Sequence, residues 1–208
     1  MRIVVRASET QKEEWLSKPA APGAKVVFID AGTELVSIQN ADACFDLLFD
    51  KSTASVPSTR KPVFINTVVE LLNELPGNCI RINAWNGFLK RDVIEIVASE
   101  KNKAYAAAVM EQLGWKYIFA PDIAGMIAAR SISMIINEAY YAFGDKVSSK
   151  QDIDTAMKLG TNYPYGPFEW AAKIGLQNIC SLLNALSVKD DRYIAAPYLR
   201  QELTGNIM

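Results

Sequence analysis

Chemistry in this chain has to be built without imidazole, because its 208 residues include no histidine. A histidine general base, a Ser-His or Cys-His nucleophile and an imidazole metal site are excluded. Carboxylates and carboxamides remain. Glu95 sits in the apolar run Val93–Ala98 and becomes a weak base if burial raises its pKa. The plainer reading is an outward strand residue alternating with Val93. Asn83, Trp85 and Asn86 form an Asn-rich strand end able to hydrogen-bond a carbonyl and stack on a flat ligand. Asn86-Gly87 is equally a turn signal. Asp30 ends the second strand-like run, where dinucleotide-binding folds place a ribose-binding acid. Against that, the first strand-to-helix turn is Arg6-Ala7-Ser8-Glu9, with no glycine to admit a pyrophosphate. Glu9, Glu13 and Glu14 add carboxylates near the same helix start, where they would repel phosphate.

The composition sets wider bounds. Half the residues are apolar and 22% are charged, with 22 Lys and Arg against 23 Asp and Glu. That balance fits a folded soluble domain and gives no basic surface for nucleic acid or an anionic membrane. Cys44, Cys79 and Cys180 are far apart and lack CxxC spacing, so no metal site is expected and a reducing, cytoplasmic location fits. The opening MRIVVRASETQKEEWLSK turns polar too soon for a signal peptide. The greasy stretch Ile123–Ile136 is too short and polar to span a bilayer.

The elements that must position these groups fall into two kinds. Strands are predicted at Arg2–Val5, Val26–Ile29, Cys44–Phe49, Pro62–Asn66, Ile80–Ala84, Val93–Ala98 and Tyr117–Ala120. Ser8 to Gln11 reads as a capping box opening a helix that ends before Pro19, and Lys103–Leu113 is a second helix stopped by Gly114. Asp50–Lys61 is the most loop-like stretch. After residue 121 only helices are expected: Ile123–Phe143 with Asp122 as N-cap, one capped at Ser149 and ending at Gly160, one from Pro167 to Gly175, then Leu176–Ala185 and Pro197–Leu203. The predicted architecture is an α/β domain over 1–121, a truncated Rossmann-like fold with a mainly parallel sheet, followed by an all-α domain over 122–208.

From Asn83 onward the sequence resembles the 3-hydroxyacyl-CoA dehydrogenase family. Asp154–Gly160 and Tyr163–Glu169 resemble the family's "DIDTAMKLGxGYPMGPFEL" segment, Asp122–Arg130 its "DxPGFIVNR" segment, and Asp190–Tyr193 a late segment. Asn83–Glu95 aligns without gaps to "HFFNPVPVMKLVE", and Asn66-Thr67-Val68 to "NTS". The resemblance implies that Glu95 stands at the position of the catalytic Glu, Asn83 at that of its His, and Thr67 and Asn86 in the substrate-binding segments. Val68 and Ala129 stand where the family has a substrate-contacting Ser and an active-site Asn. It also implies an acyl-CoA-like ligand and a homodimer formed through the helical domain. The family cofactor is NAD; with the glycine-free turn and a short stretch between Asp30 and Asn83, no cofactor is expected here. The expectation is a catalytically degenerate relative that binds or regulates. The alternatives are an active NAD(P)-dependent oxidoreductase with a rebuilt site, and a structural dimer with no small ligand.

Overall fold

The computed structural model describes residues 1–19, 22–30, 40–51, 61–75 and 78–205. Their contacts divide the chain into Met1–Met126 and Ile127–Met208. The N-terminal unit carries strands β1 (Arg2–Arg6), β2 (Lys25–Ile29), β3 (Ala43–Asp46), β4 (Val63–Asn66), β5 (Cys79–Ile82), β6 (Val93–Val97) and β7 (Lys116–Phe119), with helices α1 (Glu9–Leu16) and α2 (Glu100–Gln112). They form one sheet in the order β2-β1-β3-β4-β5-β6-β7, parallel throughout except where β6 runs antiparallel to β5. This is the mainly parallel Rossmann-like sheet expected.

The reasons are local. The strands read as β-branched apolar runs, as a sheet covered on both faces requires. On one face Ile3, Val5, Phe45, Phe64, Ile80, Ile82, Ile94 and Ile96 pack with Trp15 of α1 and Ala106, Val109 and Met110 of α2. On the other, Val63, Ile65, Leu75 and Cys79 form a smaller cluster. The Ser8 capping box is present, with the Gln11 amide donating to Ser8 Oγ and the Ser8 amide to Gln11 Oε1. Strand β3 stops at Asp46 rather than Phe49, because the Asp46 carboxylate turns back to accept the Leu48 amide. Of the loop expected at Asp50–Lys61, residues 52–60 lie outside the described residues.

One cation fixes how this unit ends. Arg81, fully buried on β5, donates to the carbonyls of Thr67 (3.3 Å), Val68 (3.0 Å) and Ile123 (3.3 Å) and to the Asp122 carboxylate (2.5 Å). Asp122 therefore does not cap a helix: its carboxylate is taken by Arg81 and by the Leu72 amide. Gly125 and Met126 adopt positive φ, and the Gly125 amide donates to the Val68 carbonyl. The helix expected from Ile123 begins instead at Ala128.

The C-terminal unit is helical: α3 (Ala128–Gly144), α4 (Lys150–Thr161), α5 (Pro167–Ile174), α6 (Leu176–Ser187) and α7 (Pro197–Leu203). Ser149 caps α4 as expected, accepting the Asp152 amide. The helix passes Gly160 and ends one residue later, with Asn162 left-handed at φ 57°. Asp154 of α4 caps α5, its two oxygens accepting the Phe168 and Glu169 amides (2.8 and 3.2 Å). A Cβ on Gly166 would overlap that carboxylate, which explains glycine there. Asn137 of α3 binds the Ile194 carbonyl and the Ala196 amide, fastening the approach to α7. Arg130 donates to the Tyr193 hydroxyl through two nitrogens; although burial opposes it, this and Arg192 hold the phenol below its ordinary pKa.

Replacing Arg81 with Met should expose the strength of the first fastening. The variant leaves three carbonyls and a carboxylate without their donor, so the expected loss is about 3–5 kcal/mol. Urea unfolding followed by tryptophan fluorescence measures it, and a loss under about 1 kcal/mol would show that the guanidinium is not the fastening.

Candidate active site at the carboxyl end of the sheet

Parallel α/β sheets bind ligands beyond the carboxyl ends of their strands, where connections diverge. Asn83 stands at that end of β5. The register, Arg81 opposite Val97 and Ile82 opposite Ile96, continues to set Asn83 opposite Glu95, and the Asn83 amide donates to the Glu95 carbonyl at 3.1 Å. Residues directly opposite in an antiparallel pair share a face, with Cβ atoms about 4.5–5.5 Å apart. The reading of Glu95 as an outward residue is corrected: it is buried, with Arg91 Nη1 at 3.9 Å from its carboxylate. Burial follows because Ile94–Val97 are all enclosed. Thr67 follows the last residue of β4, Asn66, which pairs with Ile82, and its amide turns back to the Ile65 carbonyl at 3.0 Å. It is buried and its hydroxyl donates to Glu70. Val68 and Ala129 are also buried.

The Asn83 side chain is the unusual feature. Asn83 is 2% exposed, yet neither Oδ1 nor Nδ2 has a hydrogen-bond partner among the described residues. Buried carboxamides without partners cost about 1–3 kcal/mol per group and are rare outside functional positions. Its neighbours are fully engaged: Asn66 donates to the Leu47 carbonyl and accepts the Ala84 amide, at 3.2 and 3.0 Å. Asn86 lies half-buried in the turn after β5, where Gly87 has φ 94°. Trp85 is buried and meets Phe88 edge-on, a core position rather than an open stacking platform. Asp30 follows β2, the edge strand of the described sheet, exposed and separated from β5 by three strands. The structure thus gathers Asn83, Glu95 and Thr67, with Asn86 just beyond, and leaves Asp30 apart.

NAD, implied by the resemblance, meets a poor fit. The strand order reverses between β1 and β3, the point where a dinucleotide pyrophosphate would lie. There Arg6 grips Asp46 with Nε at 2.8 Å and Nη2 at 2.6 Å. Gln11 reaches across with its amide nitrogen to the carbonyls of Leu47 and Ala84, both at 3.0 Å. The first helical turn is closed by its own capping box, with Glu9 in it. Glu14, also buried, accepts the Gly87 amide at 2.6 Å. None of these residues is arranged to receive phosphate.

Sequence reasoning missed Arg6–Asp46, Gln11, Asn66 and Arg81. A charged residue inside the run Cys79–Ile82 was the available signal for Arg81. Nothing local marks the others, since their partners are 18 to 73 positions away. A cavity of about 520 Å³ bordered by Gly23, Asp42, Lys61 and Tyr105 lies at the amino end of the strands, away from all these groups. Among the described residues no group of three His, Cys, Asp or Glu could hold a metal, and no helix is long and apolar enough to cross a membrane.

Known proteins resemble this chain in sequence and in fold. The family model described as "3-hydroxyacyl-CoA dehydrogenase, C-terminal domain" matches residues 125–205. The 3-hydroxyadipyl-CoA dehydrogenase of Escherichia coli K12 is 46% identical over 94 residues, covering 44% of this chain and 20% of that protein. The 3-hydroxybutyryl-CoA dehydrogenase of Clostridioides difficile is 38% identical over 137 residues, covering 63% and 49%. The chain thus spans half or less of these two relatives. Among solved structures, the (S)-3-hydroxybutyryl-CoA dehydrogenase of Ralstonia eutropha superposes with TM-score 0.75 over 98% of this chain and 93% of that one, and at 17% identity this speaks for the fold. The Escherichia coli 3-hydroxybutyryl-CoA dehydrogenase reaches TM-score 0.62 at 34% identity, over 76% of this chain and 34% of that one. Over residues 125–205 this chain carries the C-terminal domain of the 3-hydroxyacyl-CoA dehydrogenase family, and the sheet before it has the fold of the Ralstonia eutropha enzyme.

Proposed function

We propose that this chain binds an acyl-CoA-type metabolite without oxidising it, as a catalytically degenerate member of an oxidoreductase family. The observation that carries the reading is the Asn83 carboxamide, buried with both polar atoms unpartnered opposite Glu95. A carboxamide offers one acceptor and two donors and does not titrate. It can recognise a hydroxyl or carbonyl oxygen, but it cannot take up the proton released when an alcohol is oxidised. Thr67 and Asn86 flank it as further binding groups, and Glu95 supplies a carboxylate with no imidazole to orient. Asp30 has no ribose role in this reading, and NAD is not bound, because side chains fill the switch point. An active, rebuilt oxidoreductase is disfavoured by the same residues. We further propose a cytoplasmic protein whose helical unit forms a homodimer, supported by Val147, Leu159 and Val188, which stand largely exposed there.

Thermal shift with a panel of 3-hydroxyacyl- and 3-ketoacyl-CoA esters tests the site. A ligand at 100 times its dissociation constant adds about 2.7 kcal/mol to stability. Asn83→Leu should abolish that shift while leaving the ligand-free protein as stable as wild type or more so, since it removes two unsatisfied groups. An undiminished ligand shift in Asn83→Leu sinks the assignment.

The loss of chemistry has its own test. The variant Asn83→His, Val68→Ser, Ala129→Asn restores the family's residue types at these three positions. It should remain unable to reduce NAD with a 3-hydroxyacyl-CoA. A placed histidine contributes about 10²- to 10⁴-fold, whereas positioning two reactants is worth roughly 7–11 kcal/mol, and nothing here positions the nicotinamide. Turnover clearly above wild type would put the active enzyme first.

For the assembly, light scattering at micromolar concentration should give twice the chain mass of 23.0 kDa. Leu159→Glu with Val188→Glu should return a monomer. A wild-type monomer contradicts the proposal.

A further inference from the structure

We infer that the Arg6–Asp46 pair is a built-in occupant of the β1/β3 switch point, and that Asp46 is the residue that keeps Arg6 from taking a phosphate or pyrophosphate group. The inference rests on the nucleotide-free reading above. Arg6 and Asp46 are the last residues of the two strands between which the order reverses, and they pair in register. Their contact is two parallel N–H to oxygen bonds, the fork geometry that guanidinium uses equally for carboxylate and phosphate. The pair is enclosed, with side chains 18% and 3% exposed. Backbone bonds brace it: the Leu47 amide donates to the Arg6 carbonyl at 2.8 Å and the Leu48 amide to Asp46 Oδ1 at 3.2 Å. Gln11 holds the next carbonyl, that of Leu47. The carboxylate is thus placed by backbone, and it satisfies the guanidinium fork where an anion would otherwise arrive. Its field extends further, for the Cys79 thiol is pushed up to about 11 by burial and by Asp46.

Asp46→Asn keeps the shape of the carboxylate while removing its charge. Pyrophosphate, ADP and NADH are titrated calorimetrically into wild type, Asp46→Asn, and the apolar pair Arg6→Met with Asp46→Leu. Asp46→Ser serves as a second single variant should the Asn form fail to fold. The expected result is no saturable heat for wild type or the apolar pair, and at least tenfold tighter pyrophosphate binding in the single variant. Silence in every folded variant overturns the inference and leaves the nucleotide-free reading standing. Equal binding by the apolar pair also overturns it, since Arg6 would not be the receiver. Saturable NADH binding by the wild type overturns the nucleotide-free reading itself, and the inference with it.

Discussion

A fully buried guanidinium holds the candidate site in place. Arg81 is enclosed on a strand whose other residues are apolar or small, where an unpaired cation would cost several kcal/mol. Its donors instead reach three carbonyls from two separate segments and one carboxylate. Burial draws its pKa down, but Asp122 first and then Glu70 and Glu74 oppose that, so the group stays charged. Thr67 and Val68 have left the β-ladder and residues 121–126 have not yet entered α3, so Arg81 ties their carbonyls together, beside the Gly125 and Met126 amides that donate to Val68 and Ile123. Asn83 lies two residues further along the same strand. Whatever fixes Arg81 therefore fixes the floor on which Asn83 stands.

From that floor, side chains join the carboxyl ends of β1, β3, β4 and β5. Arg6–Asp46 ties β1 to β3, Asn66 ties β4 to the residues after β3 and β5, and Gln11 joins α1 to both. Each of these polar groups is satisfied, which is the ordinary condition for burial. Among the described residues here, Asn83 alone has a side-chain carboxamide with neither polar atom satisfied. Glu14 nearby leaves one oxygen unpartnered but has the other on the Gly87 amide, whereas at Asn83 both polar atoms lack partners, which marks that residue for something other than stability. The contrast is stronger grounds for a binding role than the alignment position of Asn83.

Much of this architecture was legible because it rests on local rules. The capping box at Ser8, the Ser149 cap, proline opening α5 and apolar strand runs all act within a few residues. The site was legible only in part. Asn83 and Glu95 stood out through spacing, but their opposition depends on an antiparallel pairing that no local pattern announces. Asp122 carries every local mark of an N-cap, and it fails as one because a partner 41 positions away takes its carboxylate. Helix α3 accordingly starts five residues late, a tertiary contact overriding a propensity. Glu95 was misjudged for a similar reason: alternation predicts an open face, and this sheet has none there.

The two units also differ in why their sequences stay recognisable. In the sheet, the core asks for apolar volume on both faces, and many combinations of Val, Ile, Leu and Phe supply it. Fold likeness to the Ralstonia eutropha enzyme accordingly survives at 17% identity. In the helical unit several positions accept one residue type. Gly166 must lack a Cβ because Asp154 fills that space while capping α5, and Pro167 opens that helix. Asn162 takes the left-handed turn, and Asn137 needs both a donor and an acceptor to hold residues 194 and 196. These constraints are geometric and do not involve the reaction. A chain can satisfy all of them and match the family model over residues 125–205 whatever group stands at the end of β5. Likeness in the helical unit therefore argues for fold and ancestry, and the question of chemistry falls to the residues at the end of β5.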